Sequence, residues 1–239
     1  MDYKMIRENI WQIADDHGVY CTLVKGERMA ILWDTGYGNS DLKEFVEGHV
    51  STDYMVMNSH GHPDHIGGNS HFGCIYARKE EWDVIEHFAM ETTGKAPDYL
   101  LKELKEGDIF DLGGIQAKVI FMEGHTKGSI GLLIEQERLL LAGDAINDHL
   151  WMFNYGAMPI SRLKEMLERL KEQPFDTFLC GHFESELPKS IVDAHLKNIA
   201  VLKMDQKTKC NTIGFETYVS TYEGQEGRSV IVFSEDVLI

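Results

Sequence analysis

Three histidines and an aspartate fall within the six positions His60-Gly61-His62-Pro63-Asp64-His65, inside the stretch MNSHGHPDHIGGN. Packed into one turn, these side chains would waste core volume and repel one another if protonated, unless a shared cation binds them. A metal ion is the simplest such cation. If the chain leaves a strand at Asn58, alternate residues point the same way, so His60 and His62 can meet one ion. Pro63 biases His62 towards an extended backbone, which keeps that pair splayed. Asp64 and His65 then fall in the following turn and can face a second ion, and Gly67-Gly68 permits close backbone approach behind them. Imidazole with carboxylate suits zinc, iron or manganese. The cysteines, Cys21, Cys74, Cys180 and Cys210, form no C-x-x-C pair for a thiolate site.

A site of this kind needs ligands from elsewhere in the chain. FMEGHTKGS places His125 in a glycine-flanked turn after an apolar run, LLLAGDAIND places Asp144 after another, and FLCGHFE repeats the design with His182. Each alone would be an ordinary turn or cap. Together they bring five histidines and two aspartates to the ends of expected strands. NDHLWMFNYG, just after Asp144, carries His149, Trp151, Phe153 and Tyr155 towards the same edge. Aromatic stripes pack in cores more often than they line pockets, but a strand-end loop beside a metal can hold a substrate. His17, His49, His71, His87 and His195 stand outside these motifs and read as surface or capping residues. Cys180 reads as a buried thiol.

The elements that must position these groups follow from periodicity. IWQIA, VYCTLV and MAILWDTG read as a meander of strands, and YMVM feeds the histidine cluster. CIYA, AKVIFM, SIGLLI, RLLLAG and FDTFLC are further strands. KEEWDVIEHF has helical spacing. Leu163, Met166, Leu167 and Leu170 mark a second helix, with Ser161 placed to cap it and Pro174 after its end, and Lys189 to Lys203 reads as the last long helix. The polar segment around 91–105, broken by Gly94 and Pro97 before a short helical piece, is the candidate cap or lid. The region around 212–233 reads as a β-hairpin turning at EGQEG. These elements fit one domain over 1–239, a layered α/β fold.

Bulk properties narrow the function. With 23 basic and 39 acidic residues the net charge is −16, so a nucleic-acid backbone meets a repulsive field and no nucleic-acid partner is expected. No apolar run reaches bilayer length, so no membrane role is expected. The mixed, charged start of the chain lacks the apolar core of a secretory signal, and a cytoplasmic location is the expectation. A homodimer through the C-terminal hairpin is one use for that element, and closing the sheet is the other.

The motifs together resemble the metallo-β-lactamase superfamily of metallohydrolases, with glyoxalase II-like members the nearest subgroup. Asp34 in LWDTG matches the first family motif, HGHPDH the second, GHTKGS the third, AGD the fourth and CGH the fifth, all in the family's order. The resemblance implies a four-layer αββα sandwich of two mixed β-sheets flanked by helices. It implies His60, His62 and His125 on one metal, Asp64, His65 and His182 on a second, Asp144 bridging them, and Asp34 behind the ligands orienting the histidine loop. Lys127 departs from the proline that many hydrolytic members carry in GHTPG. The expected cofactors are two divalent ions, zinc first, with iron or manganese as alternatives.

Such a pair, ~3.5–4 Å apart, would hold a bridging hydroxide and polarise the bond it attacks. Asp64 and Asp144 are then the catalytic carboxylates. The expected activity is cleavage of an ester-type bond in a small molecule, a thioester or lactone first. The alternatives are a mononuclear-iron oxygenase of persulfide dioxygenase type, a phosphodiesterase or nuclease, and a metal-binding module without catalysis. Substrate choice falls to loops around Lys95, Lys127, His149, Trp151 and Tyr155.

Overall fold

The computed structural model describes residues 1–38, 41–202 and 208–238. Its first sheet holds seven strands in chain order: β1 (Tyr3–Arg7), β2 (Ile10–Ala14), β3 (Tyr20–Lys25), β4 (Met29–Trp33), β5 (Asp53–Met57), β6 (Cys74–Arg78) and β7 (Leu100–Leu104). The first four pair antiparallel through hairpin-length links. From β4 onward the pairing is parallel, and parallel strands need crossovers. Those crossovers contain α1 (Leu42–His49), α2 (Pro63–Ile66) and α3 (Trp82–Thr93).

The chain continues with β8 (Ile109–Asp111), β9 (Gln116–Phe121), β10 (Ile130–Ile134), β11 (Leu139–Gly143), β12 (His149–Met152), α4 (Ile160–Lys171), β13 (Thr177–Cys180), β14 (Leu187–Pro188), α5 (Ser190–Val201), β15 (Thr208–Thr212), β16 (Phe215–Gly224) and β17 (Gly227–Phe233). The second sheet runs β14-β13-β11-β10-β9-β8, and a third of four strands runs β12-β17-β16-β15.

Strand alternation decides what packs where. On β4, Ile31 and Trp33 face the second sheet and join Leu132, Ile134, Leu139 and Leu141 there. Ala30 and Leu32 point the other way, onto Leu42 and Val46 of α1. Both faces are buried, which is why these strands read as continuous apolar runs. On the far side of the second sheet, Leu133, Leu140 and Ala142 meet Leu163, Met166, Leu167 and Leu170 of α4 and Ile191 and Val192 of α5. This is the αββα sandwich expected from the motifs. Among the described residues no helix is long and apolar enough to cross a membrane.

Several local expectations are corrected. The short helical piece within 91–105 is a strand: Leu100–Leu104 pairs in parallel with β6, while Glu91–Thr93 finish α3 before Gly94 turns at φ +69°. That segment is therefore a helix end and a sheet edge. Cross-strand pairing with β6 outweighs the helical propensity of LLKELK. Pro159, not Ser161, stands at the start of α4. HLWM is no loop but β12, paired with β17. Lys203 and the start of the link to β15 lie outside the described residues.

His195, expected at the surface, is fully buried. Its Nε2 donates to the Asn147 carbonyl at 2.6 Å, and its Nδ1 accepts from Ser229 Oγ at 2.7 Å. This ties α5 and β17 to the loop between Asp144 and β12. Burial pushes its pKa down from 6.5 to about 4, against the carbonyl's pull. Because folding depresses this pKa, its contribution is present above pH 6.5 and is lost as pH falls towards 4. A His195→Gln variant should lack up to about 3 kcal/mol of the stability lost across that window by the native chain. Denaturant unfolding at each pH measures the difference, and parallel profiles would contradict it.

Candidate metal centre

Every candidate ligand sits just past a strand's carboxyl end, where α/β sheets gather ligands. β5 ends at Met57 and is followed by the histidine loop. His62 is extended (φ −71°, ψ 153°), and Pro63 opens α2 as its first residue, which places Asp64 and His65 in one tight turn. His125 follows β9, Asp144 follows β11, and His182 follows β13. Gly181 has to be glycine, because a Cβ there would run into the His65 ring and the Asp144 carboxylate.

Ring tautomers follow from the hydrogen bonds on the outer nitrogens. Asp34 accepts from the Ser59 amide at 2.7 Å, from Ser59 Oγ at 2.7 Å and from His65 Nδ1 at 2.9 Å. Since its hydroxyl donates to Asp34, Ser59 Oγ accepts from His60 Nδ1 at 2.9 Å. His62 Nε2 donates to the Tyr155 carbonyl at 3.1 Å, and His125 Nδ1 donates to the Trp151 carbonyl at 2.7 Å. The protons are thereby on the outer atoms, and lone pairs point inward. His62 Nδ1 lies 3.1 Å from His60 Nε2 and 2.9 Å from His125 Nε2, so three lone pairs converge on one point. Burial pushes all three histidines down in pKa, His62 to about 3, which keeps them neutral.

The second donor set is electrostatically opposite. Burial alone would lower the His182 pKa, but Asp144 and Asp64 beside it raise it to about 10. Asp144 and Asp64 are held down against burial by His65 and His182, Asp64 to about 2. His182 Nε2 lies 2.9 Å from Asp144 Oδ2 and 3.1 Å from Asp64 Oδ2, and His65 Nε2 lies 3.6 Å from each. This half draws positive charge. Asp144 Oδ2 also comes within 4.0 Å of His125 Nε2, so one carboxylate reaches both sets. His65 Nε2 and Asp144 Oδ1 are buried without a hydrogen-bond partner, a costly arrangement that a cation relieves. Three overlapping trios, His60-His62-His125, His60-His65-Asp144 and Asp64-His65-His182, each converge within 4.8 Å. The donors fit divalent metal.

The centre opens into a cavity of about 920 Å³. Of the expected pocket residues, His149, Trp151 and Tyr155 line it. Lys127 does not: its Nζ pairs with Asp83 at 2.6 Å. Phe153 is buried against Val230 and Val232. Two residues read as surface side chains, His17 and His87, also line the cavity, His87 stacked on Tyr155 at 4.1 Å. Helical spacing could have found His87, since it precedes Phe88 on the α3 face turned towards His62.

Glu81 carries no motif that marks it in the sequence, where it is one more charge in KEEW. It is buried just before α3, accepting from the Gly61 amide at 2.9 Å through one oxygen, and from Thr126 Oγ1 at 3.0 Å and the Gly128 amide at 2.8 Å through the other. It thus clamps the loop of His60 and His62 to the loop of His125. Burial pushes its pKa up to about 7 despite those three donors.

The family model of the metallo-β-lactamase superfamily matches residues 14–182. The chain belongs to the metallo-β-lactamase superfamily. It is 30% identical over 142 residues to a hydroxyacylglutathione hydrolase of Rhodopseudomonas palustris (strain BisB5), covering 57% of this chain and 50% of the relative. It is 23% identical over 220 residues to an acyl-coenzyme A thioesterase of Homo sapiens, covering 75% and 74%. In fold it is similar to a metallo-β-lactamase from Pontibacter korlensis, with a TM-score of 0.67 at 18% identity over 84% of this chain and 99% of the other.

Two substitutions separate the roles of the carboxylates behind this superfamily's ligand loops. Asp34 adopts φ +64°, which asparagine also tolerates. Asp34→Asn should therefore fold but weaken metal affinity by roughly 10–100-fold, as loss of an outer partner typically does. Chelator competition measures this, and unchanged affinity would count against the tautomer assignment. Glu81→Ala leaves three donors unpaired and should cost about 3 kcal/mol or more in unfolding free energy. A cost below ~1 kcal/mol would remove the clamp.

Proposed function

We propose that the chain is a metal-dependent hydrolase with two divalent ions that cleaves thioesters of small molecules, esters and lactones being chemically adjacent substrates. The observation that carries this reading is Asp144: its Oδ2 stands between the neutral histidine trio and the carboxylate-bearing set, 4.0 Å from His125 Nε2 and 2.9 Å from His182 Nε2, at the floor of an open cavity. The trios contain imidazole and carboxylate but no thiolate, a donor set that suits zinc, with iron and manganese as alternatives. The names of two relatives, hydroxyacylglutathione hydrolase and acyl-coenzyme A thioesterase, support acyl–thiol substrates.

When bound, two such ions supply Lewis acidity, ionising water near neutral pH and polarising the scissile carbonyl. The chain's own residues do the rest. His60, His62 and His125 are locked in one tautomer each, so no reorganisation is needed during the reaction. Asp64 is partly exposed to the cavity while its Oδ2 faces His182 and His65, so its carboxylate can accept a hydrogen bond from the attacking water and orient it. Water adds to the acyl carbon, the C–S bond breaks, and the proton ends on the thiol or in solvent. A thiolate leaves readily because the thiol's own pKa is about 8.5, so little general-acid assistance is required. His149, Trp151 and Tyr155 on the cavity wall contact the substrate.

Protein purified without added metal, then loaded with zinc, should hold two ions per chain and hydrolyse a neutral S-acyl thioester. Asp144→Asn should lower metal content and reduce kcat/KM by more than the roughly 100-fold typical of an outer partner. Undiminished turnover by fully metal-free protein would overturn the mechanism. A chain holding two zinc ions and cleaving no thioester, ester or lactone would overturn the activity.

A further inference from the structure

The turn joining β15 to β16 breaks a local rule. Thr212 pairs with Phe215, leaving a two-residue loop of Ile213 and Gly214 at φ +45° and +92°. Positive φ at both positions is the type I′ form of such a loop, which Asn-Gly or Asp-Gly supplies without strain. A β-branched residue in that region is an outlier. Burial gives no compensation, since Ile213 is 68% exposed. Its side chain instead lines the cavity in front of the metal centre, together with Phe215, which is 48% exposed. Strain held at an exposed apolar tip beside a reactive centre points to a ligand.

The tip connects to the centre through a run of aromatic contacts, one of them buried. The Phe215 ring lies 5.6 Å from Phe153, which lies 5.1 Å from Trp151, whose carbonyl holds His125. Phe88, Tyr155 and Phe183 add further apolar lining. Among the described residues of that lining, the Asp and Glu side chains are Asp64, Glu91, Asp144 and Asp148, and no Lys or Arg joins them. An acyl chain ending in a carboxylate would find no guanidinium or ammonium partner there. An uncharged apolar chain would cover Ile213 and Phe215.

We infer that the Ile213–Phe215 tip is an acyl-binding jaw, and that the substrate's acyl group is an uncharged alkyl or aryl chain of several carbons. This rests on the thioester reading above. The apolar part is assigned to the acyl side because biological thiol carriers are themselves polar. Ile213 and Phe215 are then specificity-determining residues, selecting chain length through the apolar area they cover.

The test uses the full, zinc-loaded chain with S-acyl N-acetylcysteamine thioesters from acetyl to decanoyl. For the native protein kcat/KM should rise about two- to fourfold per added methylene until the chain outgrows the jaw. In the double variant Ile213→Asn, Phe215→Ser the decanoyl-to-acetyl ratio of kcat/KM should fall at least tenfold. Ile213→Asn alone should raise Tm, because asparagine accepts the left-handed backbone, so lost selectivity cannot be blamed on misfolding. A second arm needs no turnover: displacement of N-phenyl-1-naphthylamine by n-alkanols from butanol to decanol should steepen with length in the native chain and flatten in the double variant. A length-independent kcat/KM, or a ratio unchanged by the double substitution, overturns the jaw. If no thioester is cleaved, the thioester reading fails, and displacement alone decides: equal length dependence in native and variant chains then overturns the jaw as well.

Discussion

Three imidazole lone pairs aimed at one point, 2.9 and 3.1 Å apart, form the interaction on which the rest of this molecule depends. In water each nitrogen would find a proton or a solvent donor. Here burial denies protonation, and the outer nitrogens are already spent on Ser59, Tyr155 and Trp151. The arrangement is repulsive unless a cation sits at the point of convergence. A few ångströms away, Asp64 and Asp144 with His65 and His182 present the complementary case, a cluster that attracts positive charge. The fold therefore stores an electrostatic demand that metal satisfies, and Asp144 is common to both halves of it.

Holding such a cluster open requires scaffolding that is not itself ligand. Two buried carboxylates provide it in different ways. Asp34 works through protons, fixing the ring of His65 directly and that of His60 through Ser59. Glu81 works through backbone, pinning Gly61 and Gly128 so that two loops from different sheets stay in register. Asp34 directly follows β4 and Glu81 directly precedes α3. The cavity side is built from more exposed material: aromatic side chains from α3 and the loop after β12, and the strained tip between β15 and β16. Buried hydrogen bonds are concentrated behind the donors, and apolar, exposed surface faces the cavity.

Much of this was legible in the sequence because chemistry and period coincide there. The six positions from His60 to His65, and the Gly-His and Gly-Asp pairs that end apolar runs, bring all seven candidate ligands together in the structure. Strands buried on both faces announced themselves as continuous apolar runs. What stayed hidden depended on contacts between distant segments. Glu81 looks like one more charge in KEEW, and only the approach of Gly61 and Gly128 gives it a role. His195 looked like a surface histidine until β17 and the Asn147 loop closed over it. LLKELK favours a helix locally, and the pairing of β7 with β6 is a non-local fact. Lys127 stood out as a departure from a motif, yet its ammonium turns to Asp83 and away from the cavity. The third sheet has no local signature, because HLWM has no partner until residues 230–233 arrive.

The central claim is that two cations complete this centre, the first held by His60 Nε2, His62 Nδ1 and His125 Nε2. Anomalous diffraction above the zinc edge, from crystals of the zinc-loaded chain, tests it most directly. The account predicts two peaks ~3.5–4 Å apart, one at the convergence of those three nitrogens and one among Asp64, His65 and His182, with Asp144 touching both. A single peak, or a first peak ligated by His62 through Nε2 with the Tyr155 carbonyl contact broken, would contradict it.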